Sequence, residues 1–456
     1  MQLRRYQEEA IDHLRDGFSR SYSSLLLVMP TGSGKTVVFT EIARRATQKH
    51  KTVFVLVHRR ELINQASNKL SIAGVQHGII AAGFPSTPQS VQVASVQTLV
   101  RRLNCLTSEP DLIIIDEAHH AVAGSWQKII DHFPNAKRIG VTATPSRLDG
   151  QGLGSHFDIL VQGPSVEQLE RLGFLSPHKV YAPPPKADLS NVKTRAGDYA
   201  KDQLSEIMDR PTITGDAISH YRRLADGLPA IAFCCSIKHA TSVCASFKAA
   251  GYRAKLVTGN MPMEERDEAI SGLADGRTQV LCSVDVVSEG TDVPAVSAAI
   301  LLRPTQSEAL YLQQVGRILR PQPGKIAIVL DHVGSTIKHG FVDDIRVWSL
   351  DSKRRKKNDE PAPSVRQCPM CFAAFKPQPV CPCCGFAFPI KPKRQLTQRE
   401  GELKEMRRQD ALERIEKKEQ RKEIGRARTL PELLALAKKK GYKPGWAYKI
   451  FYGRKY

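Results

Sequence analysis

No run of 18 or more apolar residues occurs in this 456-residue chain, which excludes a helix long enough to span a bilayer. The opening residues, Met1-Gln2-Leu3-Arg4-Arg5, lack the apolar core of a secretory signal. A cytoplasmic location with no membrane partner is expected. Negative charge is also in short supply, with 46 Asp and Glu against 67 Lys and Arg, a net charge of +21. Such an excess points to a polyanionic partner, nucleic acid above all. It is uneven: residues 391–456 carry a net +12. Cys105, Cys234, Cys235, Cys244 and Cys282 are scattered among apolar neighbours and read as buried free thiols. Cys368, Cys371, Cys381, Cys383 and Cys384 cluster, which in a cytosolic chain means metal before disulfide.

The strongest local signal is Met29-Pro30-Thr31-Gly32-Ser33-Gly34-Lys35-Thr36. An apolar run from Leu25 to Val28 leads in and a helical pattern follows, giving strand, glycine loop, helix. Gly32 and Gly34 allow a tight turn that brings backbone N–H groups to a ligand. The helix N-terminus aims partial positive charge at the same place. In this pattern Lys35 reaches the β- and γ-phosphates and Thr36 binds Mg²⁺. The first glycine of the strict pattern is missing, replaced by Met29.

A second apolar run, Leu112 to Ile115, ends in Asp116-Glu117-Ala118-His119. Its continuous apolarity suits a strand buried on both faces of a parallel sheet. Ligands in such sheets bind at the carboxyl ends of the strands, so both segments deliver polar residues to one edge. Asp116 is placed to hold Mg²⁺, and Glu117 to orient and deprotonate the attacking water.

Strand-like runs at Thr52–Val57, Val91–Ala94 and Arg138–Val141 alternate with helical patterns, which predicts a doubly wound α/β domain over residues 1–160. Residues 161–205 read as a linker. A second α/β domain is expected at 206–337, with no glycine–lysine loop of its own. It contains Ser288-Glu289-Gly290-Thr291-Asp292-Val293-Pro294 and Gln313-Gln314-Val315-Gly316-Arg317-Ile318-Leu319-Arg320. Spaced three apart, Arg317 and Arg320 would share one helix face. Aimed at the first domain's phosphates they would neutralise transition-state charge. Taken in isolation, they read as a surface basic pair.

The ordered set resembles a superfamily-2 helicase of the DEAD/DEAH-box type, over residues 1 to about 340. That resemblance implies two RecA-like domains with ATP in the cleft between them. Tyr6-Gln7 matches the adenine-reading glutamine, although Gln7 alone reads as a surface residue. Thr31 to Thr36 resembles motif I, whose family tolerates a non-glycine at Met29. Arg59–Gln65 is similar to motif Ia, Asp116–His119 to the DEAH form of motif II, Thr142–Pro145 to motif III and Phe233–Ala240 to motif IV. Ser288–Pro294 matches motif V, which places Gly290 and Asp292 at the nucleotide. Gln313–Arg320 fits motif VI, which places Gln313, Arg317 and Arg320 there too. The continuation Thr144-Pro145-Ser146-Arg147-Leu148-Asp149-Gly150 resembles the XPB-like and RadD-like branch, and phage helicases share the layout. The implied activity is an ATP-dependent helicase or translocase, on DNA rather than RNA, in repair, recombination or replication. Replication or repair proteins are the implied partners. A nucleotide-switched scaffold that unwinds nothing, and an RNA helicase, are the rival readings.

Residues 338–363 read as a basic linker containing Lys353-Arg354-Arg355-Lys356-Lys357. Within 364–390, Cys368-x-x-Cys371 and Cys381-x-x-Cys384 supply four thiolates at the spacing of a tetrahedral Zn²⁺ site. So short a segment needs the metal for folding energy. Cys383 could replace a neighbour or stay free. Residues 391–456 form a basic tail, with a charged helix from Leu396 to Ile424 and a short helix from Leu430 to Lys440. Beyond it, aromatics and lysines interleave from Tyr442 to Tyr452. That pattern suits base stacking with phosphate pairing, a helical hairpin built on Trp446 and Phe451, or a protein-docking segment.

Overall fold

The computed structural model describes residues 2–106, 108–120, 124–145, 152–184, 192–195, 198–209, 211–287, 296–351, 364–389, 423–424, 427 and 429–453. It forms two units, residues 1–389 and 390–456. The first sheet contains β1 (Ser24–Val28), β2 (Val53–Val57), β3 (Gly78–Ile80), β4 (Val91–Ser95), β5 (Leu112–Asp116), β6 (Lys137–Thr142) and β7 (Ile159–Gln162), in the order β3-β4-β2-β5-β6-β1-β7. Every pairing is parallel. The central strands are buried from end to end, as their unbroken Leu, Ile and Val runs require. The register sets Val28 beside Thr142 and Val141 beside Asp116. Strands β1, β6 and β5 therefore bring the glycine loop, Thr142 and Asp116 to one edge. Gly140 in β6 leaves room for Phe157, since a Cβ there would sit 2.4 Å from its ring.

The second sheet contains β8 (His178–Tyr181), β11 (Ala230–Phe233), β12 (Ala254–Val257), β13 (Val280–Ser283), β14 (Ala298–Leu301), β15 (Ala327–Asp331), β16 (Arg366–Gln367) and β17 (Ala373–Phe375). Its order is β12-β13-β11-β14-β15-β8-β17-β16. A separate two-strand ribbon is made by β9 (Thr194–Arg195) and β10 (Asp198–Tyr199). Strand β8 lies inside the stretch that reads as linker. Strand β17 pairs antiparallel with β8, so the cysteine-rich segment extends the second sheet, and Cys368 and Cys381 enter its apolar core. Cys234, Cys235, Cys244 and Cys282 are buried there as expected, but Cys105 is exposed; it ends a short 3₁₀ turn beyond the first domain's core.

One apolar cluster draws on both sheets, including Tyr6, Leu27, Val141, Leu175, Leu319 and Val329. The part of the second linker that is described does not hang free. Trp348 and Leu350 pack against the first sheet's far face, Gly154 N donates to Leu350 O at 2.9 Å and Gln162 Nε2 to Arg346 O at 3.1 Å. Lys353–Lys357 lie outside the described residues, as do all but the last two residues of the helix expected over Leu396–Ile424. The second unit contains helices Leu430–Lys440 and Pro444–Gly453, packed on each other.

Helices α1 (Arg5–Ser19) and α2 (Lys35–Thr47) are tied through the buried Glu41. Arg44 Nε and Nη2 each donate to it at 2.7 Å, Arg45 Nε does so at 2.7 Å, and Arg45 Nη2 reaches Glu8 at 2.7 Å. The Arg44 hydrogen bonds, outweighing burial, hold the Glu41 carboxyl at about 2. A depressed pKa stabilises the fold above the unfolded value and loses that effect as pH falls through the folded one. Glu41→Gln is expected to destabilise the protein by on the order of 2 kcal/mol at pH 7. The difference in thermal midpoint from the parent should shrink steadily between pH 5 and pH 2.

Candidate functional site

The glycine loop leaves β1 with Met29 wholly buried. Its N–H continues the sheet by donating to Thr142 O at 3.0 Å. This accounts for the missing first glycine: Met29 is still strand, its side chain turned into the core against Gly163. Gly32 and Gly34 then adopt φ of +86° and +85°, a region that favours glycine. Ser33 O is gripped by Tyr6 Oη at 2.7 Å and Gln7 Nε2 at 3.1 Å. Gln7 Oε1 accepts Arg4 N at 3.0 Å. The buried Gln7 thus braces the loop, a role its sequence position alone did not announce. Thr36 lies in the first turn of α2.

Lys35 Nζ lies 3.4 Å from both Met29 O and Pro30 O. Burial pushes its pKa down, opposed by Glu117 and Asp116 and assisted by Arg317 and Arg320. All five groups therefore share one electrostatic neighbourhood. Burial, with the adjacent Glu117 charge, raises the Asp116 carboxyl to about 7. Glu117 takes a φ of +50°, unusual for a residue with a Cβ. Its Oε2 is buried with no hydrogen bond among the described residues. His119 Nδ1 lies 3.5 Å from that oxygen and 3.0 Å from Thr142 Oγ1. Thr142 Oγ1 donates to Thr144 O at 2.9 Å. A polar chain thus leads from Glu117 to the strand beside it.

The second sheet completes the site. Helix Glu308–Gly316 carries the buried Gln313, whose Nε2 has no hydrogen bond among the described residues. Gly316 meets the glycine loop so closely that a Cβ would sit 2.6 Å from Thr31 Cβ. The expectation that Arg317 and Arg320 share a helix face is corrected here. The helix ends at Gly316, and the arginines follow in a turn. That turn keeps them at the loop: Arg317 is buried, and Arg320 Cγ lies 4.0 Å from a Cβ placed on Gly32. Ser176 Oγ and Lys325 Nζ hold Arg320 O at 3.0 and 2.8 Å. Gly290 and Asp292, with all of Ser288–Pro294, lie outside the described residues. A further tie that sequence inspection missed is Glu61 to Arg266, 2.5 Å apart across the two domains. Only folding brings those two residues together.

Cys368, Cys371, Cys381 and Cys384 gather with all four sulfurs within 4.8 Å of one another. The Cys368–Cys384 and Cys371–Cys381 separations are 3.5 and 3.7 Å. Four bonds of about 2.3 Å to one tetrahedral ion require sulfurs roughly 3.8 Å apart, so the donor set fits zinc. Cys383 stays outside, exposed, with its Sγ 3.6 Å from Tyr181 Oη.

Residues 1–147 match the family model "Type III restriction enzyme, res subunit" and residues 216–322 the model "Helicase conserved C-terminal domain". A 51.5 kDa protein of Lactococcus phage (isolate 7-9) is 36% identical over 381 residues, covering 83% of this chain and 81% of the relative. The "Putative ATP-dependent helicase IRC3" of Saccharomyces cerevisiae is 32% identical over 359 residues, 73% of this chain but 52% of the yeast protein. The DNA 3'-5' translocase XPB2 of Sulfurisphaera tokodaii is 25% identical over 373 residues, 72% of this chain and 81% of that protein.

The Gly316–Thr31 contact leaves no space for a side chain. Gly316→Val should weaken nucleotide binding about tenfold through the displaced loop, read by titration with a fluorescent nucleotide. Unchanged affinity would show that the contact does not shape the site.

Proposed function

The chain belongs to the superfamily-2 helicases, and from that membership we propose that it is an ATP-driven motor that moves along DNA, in repair, recombination or replication. The observation that carries this reading is the electrostatic neighbourhood shared by Lys35, Asp116 and Glu117 from one domain with Arg317 and Arg320 from the other; Gln313 would join them. ATP would enter between them. The N–H groups of residues 32–36 and the Lys35 ammonium would bind the phosphates. Thr36 and Asp116 would hold Mg²⁺, which would neutralise phosphate charge; a carboxyl raised by burial and by the adjacent Glu117 suits that role. The second N–H and second lone pair of the Gln7 amide would serve adenine. Glu117 Oε2 would take the proton of the attacking water. Arg317 and Arg320 would neutralise charge on the transferring phosphoryl group, where positioning and charge supply most of the acceleration. Gly290 and Asp292 would join from the second domain. His119, Thr142 and Thr144 would relay the phosphate state toward the nucleic-acid path. DNA is favoured by the basic charge, the Thr144–Gly150 continuation and the likeness to a DNA translocase.

We further propose that Cys368, Cys371, Cys381 and Cys384 hold a structural Zn²⁺. Four closed ligands leave no position for catalysis.

Glu117→Gln should keep ATP affinity within about threefold and cut turnover at least about 100-fold. Parent-like turnover would remove Glu117 as the base. In the parent, ATPase assays with single-stranded DNA, duplex DNA and RNA should show strong stimulation by one DNA form. Equal weak turnover with every polymer would instead support the nucleotide-switched scaffold. Purified protein should carry one zinc per chain by elemental mass spectrometry, and Cys371→Ser should lose it with a lower thermal midpoint. Metal-free protein that melts identically with and without chelator would overturn the zinc assignment.

A further inference from the structure

We propose that the C-terminal helical pair is a binding site for single-stranded nucleic acid, built from residues other than those of the cleft between the two sheets. The helix Leu430–Lys440 is opened by Thr429, whose Oγ1 accepts Glu432 N at 3.4 Å while Glu432 Oε2 accepts Thr429 N at 3.1 Å. It is closed by Gly441 at φ +71°. Leu433, Ala437 and Ala447 form its small core, with Leu434, Trp446, Ile450 and Phe451 packed against them. Two of the five aromatics are therefore committed to folding. The other three stay partly open to solvent: Tyr442, Tyr448 and Tyr452 are 37%, 45% and 53% exposed, with Tyr442 tilted on Trp446 and Tyr452 edge-on to Phe451.

Their arrangement argues for a ligand. Tyr448 and Tyr452 are four residues apart on the helix Pro444–Gly453, so they share a side and stand about 6 Å apart along the axis. The exposed Lys449 lies between them in sequence. An outward helix face is ordinarily given to charged and polar side chains; this one presents two rings and a cation. Around it, residues 429–453 hold five lysines and a single acid, Glu432, whose carboxylate is occupied by the helix cap. Lys439 and Lys440 lie 3.9 and 2.9 Å from Glu423. Lys438, Lys443 and Lys449 are exposed. Exposed rings beside cations match a strand of unpaired bases, whose π-faces stack on aromatics while phosphates pair with lysine. Duplex nucleic acid keeps those faces inside its own stack. The site goes beyond the motor reading, because binding here needs neither nucleotide nor hydrolysis.

The test uses the full-length chain without nucleotide and fluorescein-labelled 20-mers of single-stranded DNA, single-stranded RNA and duplex DNA. Dissociation constants are read by anisotropy. The Tyr448→Ala/Tyr452→Ala double variant should bind single strands at least about tenfold more weakly, with duplex affinity and basal ATPase unchanged. Tyr448→Phe/Tyr452→Phe should stay within about twofold of the parent, since stacking needs the ring and not the hydroxyl. Lys443→Ala/Lys449→Ala should flatten the dependence of log Kd on log salt by about one to two. Comparable losses on DNA and RNA would mark a general strand-binding site; loss on one alone would name its polymer. Parent-like single-strand affinity in the double alanine variant would overturn the proposal and point to a protein partner. So would equal losses in the alanine and phenylalanine variants.

Discussion

Two neighbouring carboxylates, Asp116 and Glu117, are buried at the end of a strand. Like charges so placed are costly unless cations surround them. Much of the architecture answers that constraint. The parallel sheet sets β1 and β6 beside β5, which brings Lys35 and the N-terminus of α2 to the carboxylates. The second domain contributes Arg317 and Arg320 from the far side. Charges of both signs thus face one another from the two domains at the glycine loop.

The same geometry ties the carboxylates to the neighbouring strand, since polar contacts run from Glu117 through His119 to Thr142 and Thr144. Across the cleft, contact rests on Gly316 against Thr31 and on Glu61 with Arg266. The first is a close approach of small groups; the second is a charge pair at the opposite domain's helix. After the chain has left the second sheet, Trp348 and Leu350 return to pack on the first domain.

Much of this was legible in the sequence. The long apolar strands read correctly because burial on both faces is a local compositional fact, and the glycine loop, the Asp116 strand and the four paired cysteines carry their chemistry in their spacing. What was not legible depended on distant partners. Strand β8 is short and reads as linker, since only β15 and β17 make it a strand. Arg317 and Arg320 have helical spacing, yet the chain must turn at Gly316 to meet Thr31. Gln7 reads as a base-reading or surface amide, and only the folded loop reveals that it holds Ser33 O. The tail's aromatics could not be divided into core and surface until the helices were paired.

The cysteine-rich hairpin has a further consequence through its place in the second sheet. Strand β8 would otherwise present a row of open backbone N–H and C=O groups, the kind of edge along which chains join one another. Strand β17 occupies that row, and its hold depends on a segment too small to keep its own shape without cross-linking. Because β16 pairs in turn on β17, the four sulfurs gather at the margin of the second sheet, and whatever holds them also steadies that margin.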